Sequence, residues 1–263
     1  VLAALVLVLI STSLILIIRR ENGTLLVSSG KSATKNKEPT IIVAGPSNAG
    51  KTSFYTLLTT GELRNTVMSQ QPNISHDFKL SKATSFRLME FPGHNKLRNQ
   101  LTDTLKTSTN VKGLVFMVDS TIDPKDLTST AEFLFQILQI TERQPDGCDI
   151  LLACNKSESF TSRPPLKIKE ALEKELDKII ARKKKSLDTV KTTVIGKNSK
   201  NSILTDGDGN ESDAEDQEAL LELQLSGEFK FSALEGNVDA VEGSVAKSSI
   251  DKWECWIEER LIN

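Results

Sequence analysis

The sequence predicts an α/β fold with a mostly parallel, doubly wound sheet, and three apolar segments are the main evidence. Gly113–Asp119 and Asp149–Cys154 are nearly continuous apolar runs, which is typical of strands buried on both faces. Thr40–Ala44 is a third such run, and it leads through a glycine-containing loop into a segment that can form a helix. Strands that alternate with helices in this way form parallel sheets with helices on both faces.

The loop after Thr40–Ala44 reads Gly-Pro-Ser-Asn-Ala-Gly-Lys-Thr over residues 45–52. Its glycines allow backbone N–H groups to turn inward, and the dipole of the following helix adds positive charge, so the loop can hold an anion. Lys51 would reach the β- and γ-phosphates of a nucleoside triphosphate, and Thr52 would bind Mg²⁺. The residues predicted to surround this ligand are Gly45, Pro46, Ser47, Asn48, Ala49, Gly50, Lys51, Thr52 and Ser53.

The segment between this loop and the next buried strand is predicted to contain a loop and two strands. Residues 61–77 have mixed polarity without a period, which is typical of a mobile loop. Asp77–Leu80 and Thr84–Phe91 are the strand candidates, and the second alternates apolar and polar residues as a half-buried strand does. Polar residues at the end of this second strand are therefore expected at the carboxyl edge of the sheet.

The later part of the chain contains two helices with apolar residues at helical spacing. They are Ala131–Thr141 and Leu166–Arg182, and two prolines precede the second. The basic run at residues 182–185 is predicted to end this helix, because positive charge suits a helix C-terminus, with contact to acidic lipid or ribosomal RNA as the alternative. A short strand at Glu228–Phe231 and a closing helix complete the domain. The apolar stripe of the closing helix consists of Ile250, Trp253, Ile257 and Leu261.

Composition limits the classes of partner. The formal net charge of -2 gives no general attraction to nucleic acid, so direct DNA binding is not expected. The cysteines at positions 148, 154 and 255 are too widely spaced for a disulfide framework or a zinc site. A reducing compartment is the simpler inference.

Residues 1–18 are uncharged and rich in Leu, Ile and Val, and they are long enough to predict one transmembrane helix. Arg19 and Arg20 follow, and positive charge at this end places the rest of the protein in the cytosol. A cleaved signal peptide is the alternative, which the long apolar stretch without a small-residue cleavage site disfavours. Residues 19–39 are predicted to be a flexible tether, and residues 40–263 a folded domain with a disordered acidic insertion at 186–227.

Three polar segments after the glycine loop have the order of the guanine-nucleotide motifs. Glu90-Phe-Pro-Gly93 resembles the Asp-x-x-Gly element of small GTPases, and Asn155-Lys156-Ser-Glu158 resembles their Asn-Lys-x-Asp element. Ser232 and Ala233 resemble the last base-contacting loop. The chain therefore resembles a Ras-like P-loop GTPase, which implies that the ligand is GTP with Mg²⁺.

The resemblance implies a role for each residue of these motifs. In such GTPases the acid at the position of Glu90 reaches Mg²⁺ through water, and the N–H at the position of Gly93 senses the γ-phosphate. Residues at the positions of Asn155 and Lys156 meet the purine and cover its ring, and the acid at Glu158 pairs with guanine.

Glu90 and Glu158 depart from the family pattern, which has aspartate at both positions. The extra methylene displaces each carboxylate by about 1.3 to 1.5 Å. Guanine pairing tolerates this displacement with a small backbone shift. Metal positioning for hydrolysis is more sensitive, since a misplacement of about 1 Å can lower a rate on the order of 100-fold.

Two further site residues are less well defined by the motifs. His94 stands where hydrolysing relatives have the residue that orients water, and it is either that residue or a structural loop histidine. The family also uses a threonine of the mobile segment to contact Mg²⁺ and the γ-phosphate. Thr66, Ser69 and Ser75 all offer a hydroxyl there, and we favour Ser69.

The whole arrangement resembles the β subunits of the signal recognition particle receptor, a family of Arf-related GTPases of the endoplasmic reticulum, in a fungal-looking form. The resemblance is carried by a membrane span joined to a GTPase domain, Phe-Pro-Gly-His at 91–94, Ala-Cys-Asn-Lys at 153–156 and Arg-Pro-Pro at 163–165. It implies a single-pass protein of the endoplasmic reticulum membrane that binds the N-terminal domain of the receptor α subunit. The signal recognition particle, ribosome and translocon are the implied indirect partners.

Three functions remain open from the sequence. The first is a GTP-dependent binding module with low intrinsic hydrolysis, in which GTP orders residues 61–77 and 92–100 as the α-subunit surface. The second is a cycling enzyme of the Arf or Sar type in vesicle coat recruitment, and the third is an ATP-using phosphate-loop protein. The two glutamates favour the first.

Overall fold

The computed structural model of the chain describes residues 38–80, 85–144, 147–195 and 228–262. The predicted membrane span at 1–18, most of the predicted tether and residues 196–227 of the predicted insertion lie outside these ranges. Within these ranges, no helix has the length and apolar character needed to cross a membrane.

The described residues form strands and helices in alternation. The strands are β1 (Thr40–Ala44), β2 (Asn73–Phe78), β3 (Phe86–Glu90), β4 (Val111–Asp119), β5 (Ile150–Asn155) and β6 (Val238–Glu242). The helices are α1 (Lys51–Thr60), α2 (Arg98–Thr107), α3 (Thr128–Thr141), α4 (Pro165–Ile195) and α5 (Asp251–Ile262). Three short 3₁₀ turns lie at Asn95–Leu97, Pro124–Asp126 and Phe231–Ala233.

The strands make one six-stranded sheet in the order β2-β3-β1-β4-β5-β6. The strands β3, β1, β4, β5 and β6 are parallel, and β2 pairs antiparallel with β3 at one edge. The predicted α/β class with a mostly parallel sheet is confirmed. Because the parallel strands run the same way, the loops after β1, β3, β5 and β6 meet at one edge of the sheet.

Each face of the sheet has its own apolar core, which is why the central strands are apolar throughout. In β1, Ile42 packs with residues of α2, α3 and α4, whereas Ile41 packs with residues of α1 and α5. The stripe on α5 is buried as predicted, with Trp253 fully inaccessible and its ring edge-on to Phe54 of α1 at 5.4 Å. Helices on both faces make the sheet doubly wound.

The start of β2 corrects the prediction for residues 61–80. This strand begins at Asn73, so the predicted mobile loop is too long and the predicted strand at Asp77–Leu80 is misplaced. β2 is an edge strand with polar and largely exposed residues, and its pairing with β3 shifts register between Ser75 and Phe78. Such a strand lacks the hydrophobic alternation on which the prediction rested.

The helix α4 also differs from its prediction, because it continues through the basic run at 182–185 to Ile195. Lysine and arginine are good helix formers, and no glycine or proline interrupts the segment before position 196. Lys183 lies over the ring of Phe135 at 4.6 Å, so part of the basic run packs on α3. The predicted disordered insertion is therefore helical in its first ten residues, 186–195.

The predicted strand at Glu228–Phe231 is wrong, and the last strand is β6. Phe229 and Phe231 are both buried and pack edge-on at 5.6 Å, which gives the segment the alternation of a strand without strand pairing. Their backbone N–H groups donate instead to carboxylates of α4, from Phe229 to Asp177 at 3.2 Å and from Phe231 to Glu173 at 3.0 Å.

Candidate nucleotide-binding site

A cleft of about 480 Å³ opens at the edge of the sheet where the parallel strands end. Its walls come from the glycine loop with the start of α1, from the segment before β2, and from the loops after β3, β5 and β6. The lining residues lie within the ranges 47–53, 63–69, 90–94, 155–158 and 245–246. The sequence-predicted residues Gly45, Pro46 and Ala49 belong to the glycine loop but do not line the cleft.

The glycine loop packs closely against two other walls of the cleft. Gly50, immediately before α1, has a φ of 96°, and a Cβ there would collide with Nδ2 of Asn155. At Gly93 a Cβ would lie 2.5 Å from the carbonyl oxygen of Gly45, so the loop after β3 touches the glycine loop directly. Neither position has room for a side chain. The glycine loop therefore packs directly against the loops after β3 and β5.

Lys51 is the buried cation of this site. Its Nζ donates to the carbonyl oxygen of Pro46 at 2.7 Å, and its side chain is only 6% exposed. Burial lowers the pKa of Lys51 to about 8, against the opposing attraction of the Glu90 carboxylate. A phosphate group in the cleft would give this buried ammonium a negatively charged partner.

A cluster of three oxygen-bearing side chains lies beside Lys51. The hydroxyl of Thr52 donates to Oε1 of Glu90 at 3.1 Å, and the hydroxyl of Ser69 donates to Oε2 at 3.1 Å. The two hydroxyl oxygens are 3.0 Å apart, and Glu90 is fully buried. The three predicted metal-site residues are thus brought together. The Glu90 carboxylate contacts Thr52 even though glutamate is one methylene longer than the aspartate of the family pattern.

The chemistry of this cluster fits Mg²⁺. Hydroxyl and carboxylate oxygens are ligands that Mg²⁺ prefers, and it usually takes few protein ligands and completes its shell with water and substrate phosphates. In the part of the chain that the structure describes, no group of three or more His, Cys, Asp or Glu side chains could hold a metal by itself. Thr52 and Ser69 are the residues that would hold the ion, with the Glu90 carboxylate hydrogen-bonded to both hydroxyls.

The other two candidate hydroxyls of the segment lie elsewhere. Thr66 Oγ1 pairs with Oγ of Ser53 at 2.8 Å, and Ser75 lies within β2 beside Tyr55. The geometry therefore favours Ser69, as the sequence analysis did.

Asn155, Lys156 and Glu158 all line the cleft as well. Asn155 is buried and bridges two loops: its Nδ2 donates to the carbonyl oxygen of Ala49 at 2.9 Å, and its Oδ1 accepts from the N–H of Val245 at 3.0 Å. Glu158 is exposed at the rim of the cleft.

Lys156 is held by an ion pair with Asp119 at the end of β4. Burial tends to raise the pKa of Asp119, but hydrogen bonds from Lys156 and Thr121 outweigh it and leave the pKa below its ordinary value. Asp119 is thus ionised at neutral pH and orients the lysine. This role is not visible in the sequence, since only the pairing of β4 with β5 places Asp119 opposite Asn155.

Comparison with known proteins defines the family. A family model described as the signal recognition particle receptor beta subunit matches residues 36–238. The chain belongs to this family. The signal recognition particle receptor subunit beta of Saccharomyces cerevisiae is 50% identical over 238 residues, covering 89% of this chain and 90% of the relative.

Solved structures of this family have the same fold. A chain of the mammalian SRP receptor has a TM-score of 0.63 at 25% identity, covering 84% of this chain and 99% of that chain. A Chaetomium thermophilum chain, described as the SRb-GTP/SRX complex of the signal recognition particle receptor, has a TM-score of 0.61 at 23% identity, covering 84% and 98%. The predicted resemblance to this family of small GTPases is confirmed, which favours it over the Arf or Sar alternative.

The structure does not bring Ser232 and Ala233 to the cleft. They lie in the 3₁₀ turn Phe231–Ala233, which precedes β6 and therefore lies toward the opposite edge of the sheet. Val245 and Ala246, in the loop after β6, line the cleft instead. The prediction of the last base-contacting loop followed from the wrong strand assignment at Glu228–Phe231. The glycine and serine directly after β6 are the signal that could have located the correct loop.

His94 lines the cleft from the loop after β3 and is exposed. Its Nδ1 accepts from the N–H of Lys96 at 3.3 Å and caps the turn Asn95–Leu97. The side chain thus has a structural contact. Its role in orienting water stays a prediction.

Proposed function

We propose that this chain binds GTP and Mg²⁺ in the cleft, and that the GTP-bound form holds the N-terminal domain of the receptor α subunit at the endoplasmic reticulum membrane. The observation that carries the proposal is the contact of Ser69 with both Thr52 and Glu90. Ser69 belongs to the segment before β2, so occupancy of the phosphate site can change the conformation of that segment.

The surface beside Ser69 suits a protein partner. Val67 and Met68 directly precede it and are 86% and 63% exposed, and Leu63 and Ile74 are about half exposed at 49% and 46%. Large apolar side chains that are open to solvent and lie close together along the chain are candidates for an interaction surface. We name these four residues the apolar rim. Ordering of the rim by GTP would make it competent to bind its partner.

The relatives support the ligand and the partner. Solved Chaetomium thermophilum structures are described as SRb-GTP/SRX, SRb-GDP and SRb-GDP-Mg forms of the signal recognition particle receptor. In this chain Thr52 and Ser69 would hold Mg²⁺, Lys51 would meet the phosphates, and Asn155, Lys156 and Glu158 would recognise guanine. The predicted membrane span at 1–18 would anchor the complex, with the signal recognition particle, ribosome and translocon as indirect partners.

A holding role fits these residues better than rapid turnover. Both oxygens of Glu90 accept hydrogen bonds from the side chains around it, and the glutamate is longer than the family aspartate. His94, the candidate for orienting water, caps a turn instead of contacting another residue of the cluster. Low intrinsic hydrolysis keeps the GTP-bound surface available for its partner.

The test is capture of the α-subunit N-terminal domain by the full chain in lipid nanodiscs, prepared with GTP and Mg²⁺ or without nucleotide. We expect at least about tenfold more domain captured by the GTP-loaded chain, since allosteric couplings are typically 5- to 150-fold. Equal capture by the two forms would contradict nucleotide-dependent binding, even if GTP itself is bound.

A further inference from the structure

Asn73 is a half-buried asparagine whose side chain contacts two members of the cluster formed by Thr52, Ser69 and Glu90. Its Nδ2 donates to Oε2 of Glu90 at 2.6 Å and to Oγ of Ser69 at 3.1 Å. The family motifs on which the sequence analysis rested do not include this residue. Because Glu90 is fully buried, each donor to its carboxylate replaces water that the group cannot reach.

The orientation of this amide follows from its surroundings. The opposite orientation would place Oδ1 of Asn73 2.6 Å from a carboxylate oxygen, where two acceptors repel each other. With Nδ2 facing the cluster, its two hydrogens match two acceptors, the Glu90 carboxylate and the Ser69 hydroxyl. Ser69 can then donate its own hydrogen to Glu90, and its oxygen keeps a lone pair for a metal ion.

The sheet gives Asn73 a fixed base that Ser69 lacks. Asn73 is the first residue of β2 and lies directly opposite Glu90 in the antiparallel pairing with β3. Directly opposed residues place their side chains on the same face, so the contact between the two is set by register. Ser69 comes four residues earlier, outside any regular element, and immediately follows the exposed Val67 and Met68 of the apolar rim.

We propose that Asn73 is a positioning residue that ties Ser69 to the sheet beside Glu90 and thereby couples Mg²⁺ binding to the placement of the apolar rim. The proposal rests on the proposed function, because Mg²⁺ and GTP are its ligands. It adds a residue that contacts Glu90 and Ser69 of the proposed metal site and so helps to place the apolar rim beside Ser69.

Two substitutions separate hydrogen bonding from side-chain size. Asn73→Ala removes the amide, whereas Asn73→Asp keeps its size but replaces the donors with a carboxylate beside the buried Glu90. We expect the Mg²⁺ concentration for half-maximal GTP retention to rise on the order of tenfold in Asn73→Ala, because a hydrogen bond to a charged group is lost. The rise should be larger in Asn73→Asp, and all proteins should release GTP equally fast in excess EDTA.

The matched control is Asn237→Ala, which removes an exposed asparagine directly before β6, the opposite edge strand. It should behave like the unchanged protein. A second readout uses the nucleotide-free full chain: trypsin cleavage after the exposed Arg64 should be faster in both Asn73 variants and unchanged in Asn237→Ala. This readout does not depend on bound ligand.

The outcomes distinguish this inference from the proposed function. If the unchanged protein fails to retain GTP with Mg²⁺, the proposed function fails and the inference falls with it. If the unchanged protein retains GTP but Asn73→Ala has the same Mg²⁺ dependence, only the inference is overturned. An isosteric Asn73→Asp that behaves normally would also overturn it, since it would show that size alone matters.

Discussion

Replacing Lys51 by methionine is expected to weaken GTP binding strongly while the domain stays folded. Truncation of one partner of a buried charge pair costs about 2 to 5 kcal/mol, which corresponds to an affinity loss of roughly 30-fold to several thousand-fold. Methionine keeps the length and most of the apolar stem of the lysine, so the packing below the glycine loop is retained. Titration with a fluorescent GTP analogue measures the loss.

The same substitution should remove a pH dependence from the stability of the nucleotide-free protein. The pKa of Lys51 falls from 10.5 to about 8 because burial disfavours its charge, and this corresponds to a cost on the order of 3 kcal/mol. The unfolded chain binds the proton more tightly, so the cost is complete below pH 8 and shrinks as the pH rises towards 10.5. Thermal unfolding at several pH values checks this dependence.

The control for both measurements is Lys252→Met, which removes an exposed lysine paired with Glu242 at 3.0 Å, away from the cleft. It should change neither GTP affinity nor the pH profile. A Lys51→Met protein that binds GTP normally would contradict the placement of phosphate at this loop.

Replacing Asn155 by alanine is expected to weaken both the fold and guanine recognition. The carbonyl oxygen of Ala49 and the N–H of Val245 would each lose the buried partner that Asn155 provides. An unsatisfied buried group costs about 1 to 3 kcal/mol, so the loss of both partners should lower the free energy of unfolding by roughly 2 to 6 kcal/mol. Because Asn155 joins the glycine loop to the loop after β6, the two walls of the cleft should also separate.

Urea unfolding of the nucleotide-free protein measures the first effect, and competition of GTP with ATP measures the second. Asn99→Ala, an exposed asparagine on α2, is the control and should leave both unchanged. Unchanged stability in Asn155→Ala would contradict the bridge between the two loops. Unchanged preference for GTP would place base recognition elsewhere.

The central strands could be predicted from sequence, whereas the edge strands could not. β4 and β5 are buried on both faces, so their apolar runs are unambiguous. β2 and β6 lie at the two edges of the sheet, where side chains can face solvent, so both strands contain polar residues and lack a clear hydrophobic pattern. Phe229 and Phe231 are both buried and alternate like strand residues, so a strand was predicted at residues 228–231 and β6 was not predicted.

Most of the residues proposed to hold phosphate and Mg²⁺ could be selected from the sequence because they belong to short contiguous motifs. Lys51, Thr52 and Glu90 occupy motif positions, and Ser69 could be chosen only by its hydroxyl. Asn73 and Asp119 were missed because their roles depend on strand register, which places each beside a motif residue distant in sequence. The loop that contains Val245 was not predicted to line the cleft because it follows β6, and β6 itself was not predicted.

The central claim is that this cleft holds GTP without rapid hydrolysis so that the apolar rim can keep its partner. The most direct measurement identifies the nucleotide carried by the full chain after purification, alone and in complex with the α-subunit N-terminal domain. We expect the complex to carry intact GTP, in an amount equal to that of the protein. A complex that forms equally well and carries GDP or no nucleotide would contradict the claim.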